Sequence, residues 1–245
     1  MKDQYVGDVG DFGKYGLLRV LCADSQLRLG VIWYLTPNDE VPKDGELRRY
    51  ANLRNCDPSL HDALSQFDDF KRRSVATIRE LGLLPETTAF FEEKLSFPAW
   101  HGPVSQLERR NLRDNWLAGA LKITGSCDLI FADPDNGLET KSVSKHNKRA
   151  PKYVFLDDLR LILARGQGVI VYHHIGRDGD ATQQAKFRRA QIIEELGVYP
   201  FVLKWSRGSA RFYFIIPAGN HRSMLDSGVR QVLASPWGQH FTLFE

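Results

Sequence analysis

The chain has 245 residues, a length that fits one large domain and is too short for two substantial ones. Hydrophobic residues make up 42% and charged residues 26%, a globular composition that excludes a largely disordered chain. The formal net charge of +3 permits a phosphate-bearing partner without requiring one. The sequence has no apolar run of membrane-spanning length and no paired cysteine motif, so the expected compartment is the cytoplasm.

Short apolar runs alternate with helical periodicity, which predicts a parallel sheet flanked by helices. In chain order, the pattern predicts a helix over 12–23, a strand over 29–35, a helix over 109–122, a strand over 128–132, a helix over 157–164, a strand over 168–172, a helix over 181–196 and strands over 201–205 and 211–216. Gly197 is expected to end the helix before it. Gly208 lies between the last two strands, which predicts an antiparallel hairpin.

The stretch 57–95 is polar and helix-patterned, and is predicted to be a small helical insertion after the first strand. The chain as a whole, 1–245, is predicted to form a single α/β domain. Its fold is expected to be Rossmann-like, with a mostly parallel sheet, an antiparallel C-terminal hairpin strand and the 57–95 insertion.

The segment 128–137 carries the strongest chemical signal in the chain. Its apolar strand ends at Asp133-Pro134, which places a carboxylate where open α/β sheets bind their ligands. Pro134 has no N–H group and favours an extended Asp133, so the chain leaves the sheet there and displays the Asp133 side chain. Asn136-Gly137 then favours a tight turn. The alternative interpretation is an acidic turn without function.

A basic loop follows this segment. Five cations lie within twelve residues, and they are predicted to contact the phosphates of a nucleic acid, although a solvated loop would have the same composition. They are Lys141, Lys145, Lys148, Arg149 and Lys152.

Two further elements are candidate parts of the site. Near the N-terminus, glycines, Asp11 and Lys14 begin a helix, where Asp11 can cap and the helix end favours anions. A capped helix with a flexible lead-in explains the same residues. His173 and His174 end a buried strand and are expected near Asp133 as a proton acceptor or phosphate contact, or simply as hydrogen-bonded strand-end histidines.

The run from Asp128 to Pro134 resembles the Asp-Pro-Pro-Tyr strand end of class I S-adenosylmethionine-dependent methyltransferases that act on exocyclic amines of bases. This resemblance implies that Asp133 and the backbone beside Pro134 accept hydrogen bonds from the target amine. The chain departs from the family at Asp135 and Asn136, where the family has proline and an aromatic residue that stacks on the flipped base.

The N-terminal spacing is similar to the Gly-Asn-x-Ala-Asp-x-x-Lys element of an rRNA adenine-N6 methyltransferase family that also has a helical insertion. Gly7, Asp11 and Lys14 are the matching residues, and the resemblance implies that they lie near cofactor and substrate. The family's glycine-rich cofactor turn is not matched. Residues 36–40 follow the first strand instead, with Thr36 and Asn38 as expected contacts of S-adenosylmethionine together with Asp11 and Pro134.

The sequence therefore favours a methyltransferase-like protein that acts on nucleic acid, with Asp133, Lys14, Asp135, Asn136 and His173 as candidate catalytic residues. A base amine is the preferred target over a ribose hydroxyl.

Two alternatives stay open. One is a nuclease in which Asp133, Asp135 and Glu139 bind Mg²⁺ and Lys141 stabilises developing charge. The other is a non-catalytic module that binds nucleic acid or nucleotide, which the missing glycine turn favours.

Overall fold

The architecture is a seven-stranded sheet between two layers of helices. The computed structural model of the chain describes residues 1–38, 50–66, 73–97, 104–176 and 179–244. The strands are β1 (Leu29–Ile32), β2 (Ala89–Phe91), β3 (Leu129–Ala132), β4 (Gly137–Leu138), β5 (Tyr153–Val154), β6 (Gly168–His174), β7 (Phe201–Trp205), β8 (Arg211–Ile216) and β9 (Phe241–Phe244). The α-helices are α1 (Val9–Ala23), α2 (Pro58–Ser65), α3 (Val75–Glu80), α4 (Gln106–Ile123), α5 (Leu156–Leu163), α6 (Ala181–Leu196) and α7 (Arg222–Ala234).

The strand order across the main sheet is β2-β1-β3-β6-β8-β7-β9, and β4 and β5 form a separate two-stranded sheet. Strands β2, β1, β3 and β6 pair in parallel. Strand β8 pairs antiparallel with both β6 and β7, and β9 is antiparallel to β7. The α/β fold with a mostly parallel sheet and an antiparallel C-terminal hairpin strand is thus confirmed. From β1 the chain moves outward to β2, then returns to β3 on the other side. The carboxyl ends of β1 and β3 therefore flank the point where the strand order reverses, the usual ligand crevice of such sheets.

Both faces of the sheet are buried, and side chains alternate between them. Along β3, Leu129 and Phe131 join the core under α1, α2, α3 and α7, whereas Ile130 and Ala132 join the core under α4, α5 and α6. This two-residue period fixes the face on which each strand-end side chain emerges. In the described part of the chain, none of the helices is long and apolar enough to cross a membrane.

Most predicted elements agree with the structure to within about three residues. The helix 181–196, its Gly197 cap in the left-handed conformation, and strands 201–205 and 211–216 are confirmed. The first strand ends at Ile32 rather than at residue 35, because Tyr34 adopts a positive φ of 45° and turns the chain out of the sheet.

Several elements carried too weak a pattern to be predicted. The stretch 57–95 contains helices α2 and α3, but the residues after Pro85, where a further helix was expected, supply the edge strand β2. Helix α7 and strand β9 close the sheet at the other end, beyond the predicted hairpin.

Candidate functional site

A cavity of about 440 Å³ opens at the carboxyl ends of β3 and β6, beside the point where the strand order reverses. We call it the switch-point cavity, and its charged and aromatic wall is formed by Asp8, Lys14, Asp133, Asp135, Tyr172 and Arg211. Its volume is within the range of small-molecule sites. Helix α1 and the carboxyl ends of β3 and β6 meet there, so residues from distant parts of the sequence converge.

Lys14 is the centre of a buried ionic network. Its Nζ lies 2.7 Å from Asp11 Oδ1 and 2.7 Å from Asp133 Oδ2, and each of these three residues is 2% exposed. Burial alone would lower the pKa of Lys14, but the two carboxylates outweigh it and raise that pKa above its ordinary value. Lys14 is therefore a fixed cation that holds Asp133 in one orientation.

Asp133 lines the cavity, but its side chain is buried and paired with Lys14 rather than displayed and unpaired as the sequence predicts. Burial raises its pKa, and the attraction of Lys14 opposes that shift. The structure gives its second oxygen, Oδ1, no hydrogen-bond partner among the described residues, and Asp133 lines the cavity. A hydrogen-bond donor on a ligand would therefore find an acceptor at this atom.

The sequence suggested Asp11 as the N-cap of helix α1, but the cap is Asp8. The Asp8 side chain accepts from the Asp11 backbone N–H at 2.8 Å. Asp11 Oδ2 instead accepts from the Gly7 N–H and from the hydroxyl of Tyr15, both at 3.0 Å. Its carboxylate therefore ties the turn before α1 to the helix and to Lys14.

The chain after β1 meets the first residues of the protein rather than the cavity. The Met1 ammonium donates to the carbonyls of Tyr34 at 3.2 Å and Asp133 at 3.1 Å, and lies 2.8 Å from Asp135 Oδ1. Burial acts to raise the pKa of Asp135, but this ammonium outweighs it and the pKa falls below its ordinary value. Two strand-end carbonyls and one carboxylate thus form a site with the chemistry to bind an ammonium group.

The predicted cofactor contacts are divided between two places. Pro134 lines the switch-point cavity. Thr36 does not line the cavity. Its N–H and its hydroxyl both donate to the Met1 carbonyl, at 2.9 and 3.4 Å. Asn38 accepts from the Gln4 N–H at 3.4 Å. Asp39 and Glu40, the rest of that predicted segment, lie outside the described residues.

His173 lies on the opposite face of the sheet from Asp133. Phe131 pairs with Ile170 in register, so two residues later Tyr172 shares the face of Asp133, and His173 points the other way. Its Nδ1 accepts from the Leu138 N–H at 3.0 Å. Burial, with help from Arg188, lowers the pKa of His173 to about 3, so the ring stays neutral at physiological pH.

Asn136 lies in the bend between β3 and β4, whereas Gly137, predicted to share a tight turn with it, begins β4. Gly137 has a φ of +104°, and a Cβ there would lie 2.6 Å from the Cα of His173. The Asn136 carbonyl accepts from the His174 N–H at 3.2 Å, which keeps this turn against the end of β6. Asn136 consequently lines the switch-point cavity.

The basic loop is only partly available to a partner. Lys145 lies 3.3 Å from Asp157 and 3.1 Å from Asp158, and Lys152 lies 3.7 Å from Asp135. The remaining three cations are exposed: Lys141, Lys148 and Arg149. Two of the five predicted phosphate contacts therefore form ion pairs within the protein.

The carboxylates of the nuclease alternative do not converge. Asp133 faces Lys14, Asp135 faces the Met1 ammonium, and Glu139 accepts from the Leu156 N–H at 3.2 Å. Among the residues that the structure describes, no group of three or more His, Cys, Asp or Glu side chains is arranged to hold a metal ion.

Sequence reasoning missed Tyr172 and Arg211, which complete the cavity wall. Arg211 begins β8, pairs in register with His174 and donates to the carbonyl and hydroxyl of Ser209 at 3.1 and 2.6 Å. Arg211 also packs on Gly10 of α1, where a side chain would displace it. The only sequence signal was the hairpin itself, since pairing with β6 brings the start of β8 to the carboxyl end of that strand.

Comparisons with known proteins identify no family for this chain. No protein-family model matches the chain, and no curated protein matches it. Among solved structures, the crystal structure of a Legionella pneumophila protein of the family model DUF519 is similar at 10% sequence identity and a TM-score of 0.47, covering 98% of this chain and 97% of that chain. At that TM-score the similarity supports no statement about activity.

Proposed function

We propose that this chain is a methyltransferase-like protein that uses S-adenosylmethionine and acts on an exocyclic amine of a nucleic-acid base. The observation that carries the proposal is Asp133. It stands at the carboxyl end of a central strand, beside the reversal of strand order, with Oδ2 held by Lys14 and Oδ1 facing a ligand-sized cavity.

The chemistry of the strand-end acceptors supports this cofactor. S-adenosylmethionine carries an α-ammonium group, and the carbonyls of Tyr34 and Asp133 with the carboxylate of Asp135 already bind an ammonium, that of Met1. These acceptors would hold the amino-acid part of the cofactor once the Met1 ammonium had moved away. When bound, the cofactor supplies an electrophilic methyl group. The turn after β1 lacks glycine, so the fit rests on these acceptors rather than on a glycine-rich backbone.

Asp133 would orient the substrate. Its Oδ1 accepts an N–H of the target amine, which directs the nitrogen lone pair toward the methyl donor. Lys14 keeps the carboxylate from rotating, because the Lys14 ammonium is itself fixed by Asp11. Tyr172, which lies beside Asp133 on the neighbouring strand, and Arg211 also line the cavity, where Arg211 is a permanent cation for a substrate phosphate.

The exposed cations of the basic loop would hold the nucleic-acid backbone. Lys141, Lys148 and Arg149 face solvent, whereas Lys145 and Lys152 are engaged in ion pairs. Exposed cations contribute mainly through counterion release, so binding should weaken steeply with salt. The nuclease alternative has less support because its three carboxylates point to different partners.

The test combines calorimetry with S-adenosylmethionine and transfer of its labelled methyl group to single-stranded RNA and DNA. Asp133→Asn removes the charge with little change of shape and should lower the transfer rate by on the order of 100-fold. Its affinity for S-adenosylmethionine should change little, because the cofactor uses the Asp133 backbone carbonyl. Asp128→Asn, at the amino end of the same strand, is the control and should transfer normally.

Failure of the wild-type protein to bind S-adenosylmethionine and to transfer methyl groups would overturn the proposal. Cleavage that requires magnesium would favour the nuclease instead. Binding of nucleic acid without transfer would favour the non-catalytic module.

A further inference from the structure

A second cavity, of about 460 Å³, adjoins the switch-point cavity on the far side of Asn136 and His174, which line both. Its wall also includes Gln183, Phe187 and Arg188 from the first half of α6, and Tyr153 from β5. Neither the candidate catalytic network nor the ammonium site uses these four residues. We infer that this second cavity binds the base of a nucleotide next to the target in a single-stranded nucleic acid.

Phe187 supplies a stacking surface. It is 57% exposed, although it is a large aromatic residue on a helix whose buried residues, Ala185 and Ile192, already pack on the sheet. An aromatic face at the rim of a cavity is the usual platform for an unpaired base, because every base has a π-face and stacking tolerates different sequences.

Arg188 is positioned beside this platform. Its guanidinium carbon lies 5.5 Å from the Phe187 ring centroid. Its Nη1 donates to the Glu139 carbonyl at 2.8 Å and to Gln191 Oε1 at 2.7 Å, so the side chain is held in place before any ligand arrives. Burial lowers the pKa of Arg188, but an arginine remains charged at physiological pH. A fixed planar cation next to an aromatic ring suits an electron-rich base and its phosphate.

The polar groups match a base edge. The Gln184 carboxamide is fully used, donating to the Gly176 and Gly179 carbonyls and accepting from the Gly176 N–H. The neighbouring Gln183 carboxamide makes no hydrogen bond with the described residues and lines the cavity, so it offers one acceptor and two donor hydrogens. Burial and the nearby Arg211 lower the pKa of His174, so its neutral ring adds a donor and an acceptor between the two cavities.

This inference rests on the proposed function for the identity of the neighbouring site, but its own test is independent of methyl transfer. Binding of short fluorescein-labelled RNA and DNA single strands is measured by fluorescence anisotropy at low salt. Phe187→Ala should weaken binding by about 5- to 100-fold, which corresponds to the loss of stacking on one base, and Phe187→Trp should restore binding. Tyr199→Ala is the matched control, since Tyr199 is also 57% exposed and lies outside both cavities.

A sharper measurement combines the Phe187→Ala variant with strands that lack single bases. Each base of the strand is replaced in turn by an abasic site, and one position should lose as much affinity as Phe187→Ala does. On that abasic strand, Phe187→Ala should cause no further loss, because base and ring form one interaction. Additive losses at every position would refute the base site, as would wild-type binding by Phe187→Ala.

The two proposals fail separately. If Phe187→Ala loses strand binding while the wild-type protein neither binds S-adenosylmethionine nor transfers methyl groups, the base site stands and the methyltransferase proposal falls. If methyl transfer occurs and Phe187→Ala binds strands normally, the base site is wrong. If the wild type binds no single strand at low salt, the base site is also refuted.

Discussion

At the scale of single residues, the candidate site depends on a buried lysine whose charge is balanced by two buried carboxylates. Lys14 has Asp11 and Asp133 as its two partners, each 2.7 Å away, and the three side chains are almost inaccessible. A buried ion network contributes little net stability when complete, because desolvation offsets the attraction. It becomes costly when one partner is lost, since the remaining charges are left without compensation. The network is therefore better suited to fixing the orientation of Asp133 than to stabilising the fold.

Replacement of Lys14 measures this cost. Lys14→Met keeps the length of the side chain but leaves two buried carboxylates without their shared cation, so the free energy of unfolding at pH 7 should fall by about 3–5 kcal/mol. Burial already raises the pKa of Asp133 and Lys14 opposes that shift, so loss of Lys14 should raise this pKa further and the deficit should shrink as the pH is lowered. Urea unfolding at pH 7 and pH 5 measures both effects.

Lys122→Met is the control for the loss of a lysine, since Lys122 is exposed in the last turn of α4. It should change the free energy of unfolding by no more than about 0.5 kcal/mol. A similarly small effect of Lys14→Met would contradict the account of a buried, charge-balanced network.

At the scale of elements, helix α1 brings Lys14 to the strand ends, and its glycines allow large side chains from the C-terminal part of the fold to pack against it. Gly10, Gly13 and Gly16 lie along one side of the helix, where side chains would meet Arg211, Trp205 and Trp237. A Cβ on Gly13 would lie 2.6 Å from the ring of Trp205, which is fully buried. The glycines thus set the distance between α1 and the tryptophans of the C-terminal part of the fold.

The sign of a glycine-to-alanine change tests this packing. In a helix interior, alanine is normally better than glycine by about 1 kcal/mol. Gly13→Ala should nevertheless destabilise the protein by about 1–3 kcal/mol, because the added methyl group overpacks a rigid indole. Thermal and urea unfolding measure the difference.

Gly119→Ala in α4 is the matched control. Its Cβ would approach Phe91 to 3.4 Å, an ordinary contact, so the change should be neutral or stabilising. Equal effects of the two substitutions would show that α1 has room to move, which would contradict close packing between Gly13 and Trp205.

At the scale of the whole molecule, a neutral histidine links folding to pH. The ordinary pKa of 6.5 falls to about 3 for folded His173, first because of burial and then because of Arg188. Unfolded His173 therefore binds a proton at a pH where the folded protein does not. Stability from this residue is fully present above pH 6.5 and is lost as the pH falls toward 3.

This proton linkage predicts how steeply the free energy of unfolding depends on pH. Between pH 6.5 and pH 4, this one proton should reduce the free energy of unfolding by at most about 1.4 kcal/mol per pH unit. His173→Gln removes the proton site and retains an acceptor for the Leu138 N–H, so its unfolding free energy should depend less steeply on pH. His146→Gln, a half-buried histidine of the basic loop, is the control. Parallel curves for wild type and His173→Gln would contradict the prediction.

The sequence by itself determined the elements whose signals are local. Apolar runs located β1, β3, β6, β7 and β8, and the proline after Asp133 marked a carboxylate at the end of a strand. Hydrophobic periodicity and end signals located α1, α4, α5 and α6 within a few residues. Short or weakly patterned elements escaped, among them β2 and β9, because a strand of three or four residues at a sheet edge has little pattern to detect.

Only the tertiary structure decided which strand-end residues meet. Lys14 is 119 residues from Asp133, and their contact depends on how α1 packs across the sheet. The order of strands placed Tyr172 and Arg211 at the site. The alternation of side chains sent His173 to the other face, although it lies only one residue beyond Tyr172. A one-residue change of position reverses the face in a strand, so the sequence near β6 could identify candidates but not choose between them.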